Sequence, residues 1–444
     1  MEIELDGYYT MILATLVLLL GRWLVVKIRF LSDFNIPEPV AGGLLAGIVV
    51  FALNALFGLT FKFQGQLQTA FMLMFFSSIG LSADFSRLRA GGKPLVIFLF
   101  VVAAFIMVQN LVGVGMAAAL GLQPLIGLVT GSITLTGGHG TAGAWGPVLE
   151  SRYGISGATT LGIATATFGL VAGGLIGGPV AKYLIRKLDR HKLPQPTRQT
   201  KVEAVAASQS LYSTRHTEGD TAPDNAMFDK PDEIRLITAS STIETLALFA
   251  GCMAFAGVMT TVAKGTVFEL PTFVWALGGG VIIRNVLTHF FKFDMFDRAI
   301  DVFGNASLSL FLAMALLSLR LWELTSLALP VMVILAVQVC VMMAYAALVT
   351  FKVMGSDYDA AVLAAGHCGF GMGATPTAIA NMQAITDRYG PSYKAFLIVP
   401  MVGAFFVDLV NAAILQMFTQ LPFLQERTGA AIQPEAQTIQ PRSS

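Results

Sequence analysis

Charge is what this chain has least of. Only 12% of its 444 residues are Asp, Glu, Lys or Arg, while 55% are hydrophobic. An average soluble domain carries roughly 25% charged residues, so a water-soluble surface cannot be assembled from this supply. The charges present almost cancel, leaving +1. That removes the basic surplus of a nucleic-acid binder, and no nucleic acid is expected as a partner. Cysteine is nearly missing too. Cys252, Cys340 and Cys368 sit in apolar surroundings without metal-ligand spacing, which excludes a disulfide framework and a zinc site. The opening residues, Met1 to Asp6, are acidic and lack the positive region of a signal peptide. The first apolar run is therefore expected to be a retained membrane helix. No Ser–His or paired-Asp arrangement is spaced for hydrolysis; Ser132 and His139 are too loosely placed. The chain is not expected to be an enzyme or to need an organic cofactor.

What is abundant is apolar sequence in runs long enough to cross a bilayer, which takes about 20 residues per helix. Membrane helices are expected at 8–26, 39–57, 69–83, 94–120 and 158–184, then at 236–262, 271–288, 300–319, 326–353 and 393–420. The fold class is thus an all-α polytopic membrane protein with an N-terminal repeat (1–184) and a C-terminal repeat (236–420). A polar linker (185–235), expected to be mostly disordered, joins them, and a flexible tail (421–444) follows. Five crossings per half would place the two repeats in opposite orientations. Lys27, Arg29, Arg87, Arg89, Lys93, the linker's basic residues, Arg284, Lys292, Arg298, Lys352, Arg388 and Lys394 then share one side. The positive-inside rule makes that side cytoplasmic and puts both termini outside.

Two glycine-rich stretches interrupt the apolar runs, at 124–148 and 359–385. Arg-Tyr-Gly follows each, at Arg152–Gly154 and at Arg388–Gly390, a spacing of 236 residues. At the same spacing Pro94 matches Pro330 and Phe75 matches Phe311. Each stretch is apolar enough to enter the membrane but too glycine-rich for one unbroken helix, which suggests a re-entrant hairpin. Broken segments at matching positions of two halves point to a transporter's binding site. The freed N–H groups of a half-helix can hold a carboxylate, and freed carbonyls suit a hard cation. Candidate substrate-binding residues are Thr136, Gly137, Gly138, His139, Gly140, Thr141, Gly371, Gly373, Thr375, Thr377 and Asn381. Pro376 suits the first turn of a half-helix. Asp408, with Asn411 one turn on, lies in an apolar run and is a candidate Na⁺ ligand together with Thr134. A partner for a substrate amine is an alternative role for Asp408. His139 and His367 either meet the substrate, move protons or hold the hairpins in place. Gln109-Asn110, Asn305-Ser307 and Asn381-Gln383 are weaker polar candidates, and Arg22, Arg284 and Arg320 are expected to reach water from helix ends.

Four segments carry a resemblance: IPEPVAGGL (Ile36–Leu44), GSITLTGGHGT (Gly131–Thr141), GHCGFGMGATPTAIANMQ (Gly366–Gln383) and VPMVGAFFVDL (Val399–Leu409). In these the chain closely resembles the bacterial sodium/glutamate symporters, from about residue 8 to 420. The resemblance implies Na⁺-coupled uptake of L-glutamate across the inner membrane by a homodimer embedded in membrane lipid. It also implies an elevator-type transporter with two inverted repeats. Its moving transport domain would comprise 69–184 and 300–420, and its scaffold and dimer contact 8–57 and 236–288. A carrier of citrate or another hydroxy-acid, coupled to Na⁺ or H⁺, is the alternative left open.

Overall fold

In the computed structural model, residues 2–34, 36–85, 92–188, 237–266, 269–317, 327–421 and 424 are described. The linker and tail expectations, and the placement of Arg87, Arg89 and Arg320, fall mostly or wholly outside them. The first half contains α1 (Gly7–Lys27), α2 (Arg29–Asp33), α3 (Glu38–Phe57), α4 (Gly65–Ser82), α5 (Gly92–Ala119), α6 (Ile126–Leu128), α7 (Gly138–Tyr153) and α8 (Ala158–Ile185). The second contains α9 (Ala239–Val262), α10 (Thr272–Phe290), α11 (Asp297–Leu317), α12 (Ala328–Tyr345), α13 (Phe351–Val353), α14 (Tyr358–Met372), α15 (Thr375–Tyr389), α16 (Tyr393–Met401) and α17 (Val407–Thr419). Short π turns, Val129–Ile133, Ala346–Thr350 and Val402–Phe406, follow α6, α12 and α16. The only strands among the described residues, β1 (Glu2–Glu4) and β2 (Thr60–Lys62), pair in parallel beside the start of α1.

Among the described residues, eight helices are long and apolar enough to cross a membrane. These are eight of the ten expected. The third expected crossing is α4, whose Gln66, Gln68, Thr69 and serines lower its hydropathy. The tenth is divided among α16, a π turn and α17. Many large apolar side chains on α1, including Leu16, Leu19 and Trp23, point outward, as they do where lipid or another chain replaces water. α7 and α15 end at Tyr153 and Tyr389, the spacing seen in the sequence. A glycine terminates each, and Gly154 adopts the left-handed conformation (φ 68°).

The second glycine-rich stretch folds as two antiparallel arms, α14 and α15, each of 15 residues. Such an arm is about 22 Å long, too short for a hydrocarbon core of about 30 Å. The arms return to a common base, where Tyr358 donates to the Gly390 carbonyl and Ser392 Oγ donates to Asp359 Oδ1 at 2.6 Å. Glycine's role here is close packing. A Cβ on Gly369 would lie 2.4 Å from Ala378 Cα, and one on Gly366 would press on Met382 and Val399.

α4 and α10 also cross through glycines: a Cβ on Gly80 would lie 2.1 Å from the Leu277 carbonyl oxygen. At the end of this contact Arg284, 5% exposed, is held by Asp84 at 3.2 Å and by Asp297. Arg284 therefore does not reach water from its helix end. A guanidinium offers five donors in a rigid fork, so two carboxylates on neighbouring elements outcompete solvent for it.

Candidate functional site

The first hairpin bends where Gly131 leaves helical geometry (φ −106°, ψ −133°). It turns at Gly137-Gly138, with Gly138 at φ 65°, a backbone conformation that favours glycine. The second hairpin turns at Gly373-Ala374. The two tips meet: an ideal Cβ on Gly138 would lie 3.4 Å from the Gly373 carbonyl oxygen. Gly137, Gly138, Ala374, Thr375 and Pro376 are partly exposed in otherwise buried surroundings, so the meeting point is accessible.

Gln109 of α5 lies between the tips and is fully buried. Its Nε2 donates to the Gly371 carbonyl at 3.0 Å, and its Oε1 accepts from Thr136 Oγ1 at 2.7 Å. Thr136 Oγ1 is also 3.2 Å from the Gly371 carbonyl oxygen. Gln338 of α12 holds this corner from behind, donating to the carbonyls of Gln109 (2.8 Å) and Thr130 (3.3 Å).

The next residue, Asn110, reaches the bend. Ser132 N donates to Asn110 Oδ1 at 2.9 Å, and Asn411 Nδ2 donates to the Ser132 carbonyl at 3.0 Å. Ser132 Oγ, Asn411 Oδ1 and Asn110 Nδ2 are buried without a hydrogen-bond partner. An orphaned buried polar atom costs about 1–3 kcal/mol, so three together mark a place that can receive a polar guest. Two of the three are oxygens, the donor type that hard cations take. Asp408, one turn before Asn411, is partly buried and makes no hydrogen bond or ion pair among the described residues.

The second tip offers the opposite polarity. No side chain caps α15, whose first turn carries Thr375, Pro376 and Thr377. Thr377 is 2% exposed and its Oγ1 has no partner. First-turn N–H groups and the positive end of the helix dipole are attractive to a carboxylate.

The other expected residues do different work. His139 Nε2 lies 3.0 Å from Thr167 Oγ1 on α8. His367 Nδ1 lies 2.9 Å from Thr350 Oγ1, boxed by Phe98, Phe105, Tyr345 and Phe370. Asn381 Nδ2 donates to the Gly173 carbonyl at 2.9 Å, stapling α15 to α8. Thr134 Oγ1 donates to the Val129 carbonyl at 2.7 Å. Thr141 packs against Gly137, and Gly140 lies against Phe75. Of the glycines, Gly371 contributes its carbonyl to the clasp rather than to open space. Sequence reasoning missed Gln338 and weighed Ser132 only as a nucleophile. A lone amide in the apolar run 326–353 was the available signal for Gln338.

A cavity of about 610 Å³ runs beside the hairpin, between Gln68, Met72 and Phe311 on one wall and Gly143, Glu150 and Thr159 on the other. It lies on the same side of the molecule as the first residues of α1 and α4.

Comparison with known proteins extends over nearly the same span. Residues 3–391 match the family described as sodium/glutamate symporter. A sodium/glutamate symporter of Haemophilus influenzae is 51% identical over 417 residues, covering 94% of this chain and 98% of that protein. Sodium/glutamate symporters of Escherichia coli and Shigella flexneri are each 51% identical over 419 residues, with the same coverage.

Proposed function

The chain belongs to the sodium/glutamate symporter family, and from that premise we propose how its two hairpins divide the cargo. It is a multi-pass membrane transporter rather than an enzyme, and it takes up glutamate coupled to Na⁺. The observation that carries the proposal is the opposed polarity of two touching tips. Asp408, Asn411 Oδ1 and Ser132 Oγ offer oxygens for Na⁺ at the first hairpin's bend. The uncapped start of α15, with Thr375 and Thr377, offers N–H and hydroxyl groups for a substrate carboxylate. Among the described residues no Lys or Arg bonds to either tip, and glutamate is a net monoanion. Na⁺ then offsets an ionised Asp408, and the N–H groups and dipole at the start of α15 face the substrate's charge, so that neither anion is buried uncompensated.

In this reading the hairpins are re-entrant, the repeats are inverted, and the protein works as a homodimer in the lipid of the inner membrane with both termini outside. An elevator motion needs a sliding boundary. The division 69–184 with 300–420 against 8–57 with 236–288 would cut through the α4–α10 glycine contact and the Arg284–Asp84 ion pair. We place α4 and α11 with the static unit instead, so that the boundary follows the cavity.

Proteoliposomes loaded with unlabelled L-glutamate test the function. An imposed inward Na⁺ gradient drives accumulation of labelled L-glutamate. Accumulation that is equal without Na⁺, or that citrate competes away as well as glutamate does, sinks the reading.

A further inference from the structure

Resting on that division of cargo, we propose that Gln109 is the positioning residue through which Na⁺ at the first hairpin tightens glutamate at the second. Gln109 and Asn110 are neighbours on α5, and each grips a different part of the site. Asn110 accepts from Ser132 N at the bend, where the orphaned oxygens lie. Gln109 joins Thr136 of the first tip to the Gly371 carbonyl of the second. Gly371 is two residues before the break at Gly373, so its position sets where α15 begins. Drawing Ser132 and Asn411 around a cation moves or stiffens the backbone that Asn110 holds. The adjoining Gln109 passes that constraint to Gly371 and to the start of α15. Both side chains are fully buried, so losing either bond leaves a buried polar group without its partner. Thr136 has one hydroxyl proton, and 2.7 Å against 3.2 Å assigns it to Gln109 rather than Gly371. The inter-hairpin link accordingly runs through the amide.

Coupling between two sites is the factor by which one ligand changes the other's affinity, usually about 5–150-fold. In the purified full chain, calorimetric titration of glutamate at low and at saturating Na⁺ gives that factor. Gln109→Met keeps the side chain's length and removes both hydrogen bonds. We expect the factor to fall about tenfold, with thermal stabilisation by Na⁺ alone retained. Thr136→Val is expected to reproduce the loss, and Thr136→Ser to behave as wild type. The Thr136 pair decides the matter if Gln109→Met does not fold. Thr245→Val removes a buried hydroxyl that bonds only within α9, away from both hairpins, and keeps its coupling. An unchanged factor in folded Gln109→Met or Thr136→Val, or an equal loss in Thr245→Val, overturns the proposal. Failure of the underlying reading looks different: Asn411→Ala would then keep full stabilisation by Na⁺ alone, the cargo sites would lie elsewhere, and the inference would fall with them.

Discussion

Compared with each other, the two hairpins occupy matching places in the chain but follow opposite plans. The first bends through a π turn and a non-helical Gly131, turns at a left-handed Gly138, and sets Ser132 Oγ, without a partner, beside the Asn411 amide of α17. The second is a pair of regular helices pressed together through Gly369, with His367 closed in an aromatic box and the polar end of α15 left uncapped. A bent backbone presents oxygen, whereas a clean helix start presents N–H. In the proposed division of cargo, the two hairpins would thus serve a cation and an anion with no Lys or Arg bonded to either tip among the described residues.

Substitutions that act on one plan and not the other sharpen this contrast. The largest effect is expected at Gly369→Val, because its side chain would meet Ala378 backbone at 2.4–2.5 Å. Overpacking against rigid backbone should exceed the usual ~1–3 kcal/mol, and folded protein should be lost from size-exclusion profiles. Asp408→Asn and Asn411→Ala come next. Each should raise the Na⁺ concentration for half-maximal uptake at least about tenfold, with a smaller change in KM for glutamate at saturating Na⁺. Unchanged Na⁺ activation in proteoliposomes would remove either residue from the cation site. Thr377→Val should do the reverse, raising glutamate KM about fivefold, as expected for loss of a hydrogen bond of ~1 kcal/mol, while Na⁺ activation stays put. Gly138→Ala forces a side chain into the left-handed region and should lower stability by about 1–2 kcal/mol, read from the thermal midpoint. It should cost far less than Gly369→Val because its nearest neighbour is 3.4 Å away. Pro376→Ala should be smallest, about 0.4–1 kcal/mol through the unfolded chain; a large fall in glutamate affinity would show that the α15 start is held by that ring.

Much of this contrast was legible in part. Apolar runs announced the long helices because a bilayer-spanning segment has to be apolar along its length. Glycine marked where helices would break, and Asp408 stood out as a carboxylate in an apolar run. The glycines' roles were less legible. Gly366 to Gly371 read as part of a break in the helix, yet they are helical and the break comes at Gly373, since a glycine-rich arm is stable when its missing side chains admit another helix. Arg284 read as a helix-end residue, but its partners lie about 200 positions away, at Asp84, and nearby at Asp297. His139, read as meeting the substrate, moving protons or holding the hairpin, and Asn381, read as a ligand contact, both bond to α8.

By itself the sequence determined the class of protein, the spacing of its two glycine-rich stretches, and where its long apolar runs are interrupted. These follow from composition and local periodicity, which any folded arrangement has to satisfy. The tertiary structure alone decided which polar groups at those interruptions are satisfied and which remain free. Gln109, Thr136 and Gly371 come from three separate segments, as do Asn110, Ser132 and Asn411. Only packing brings them within hydrogen-bond distance, and only then does an amide become a clasp or an oxygen become available to an ion.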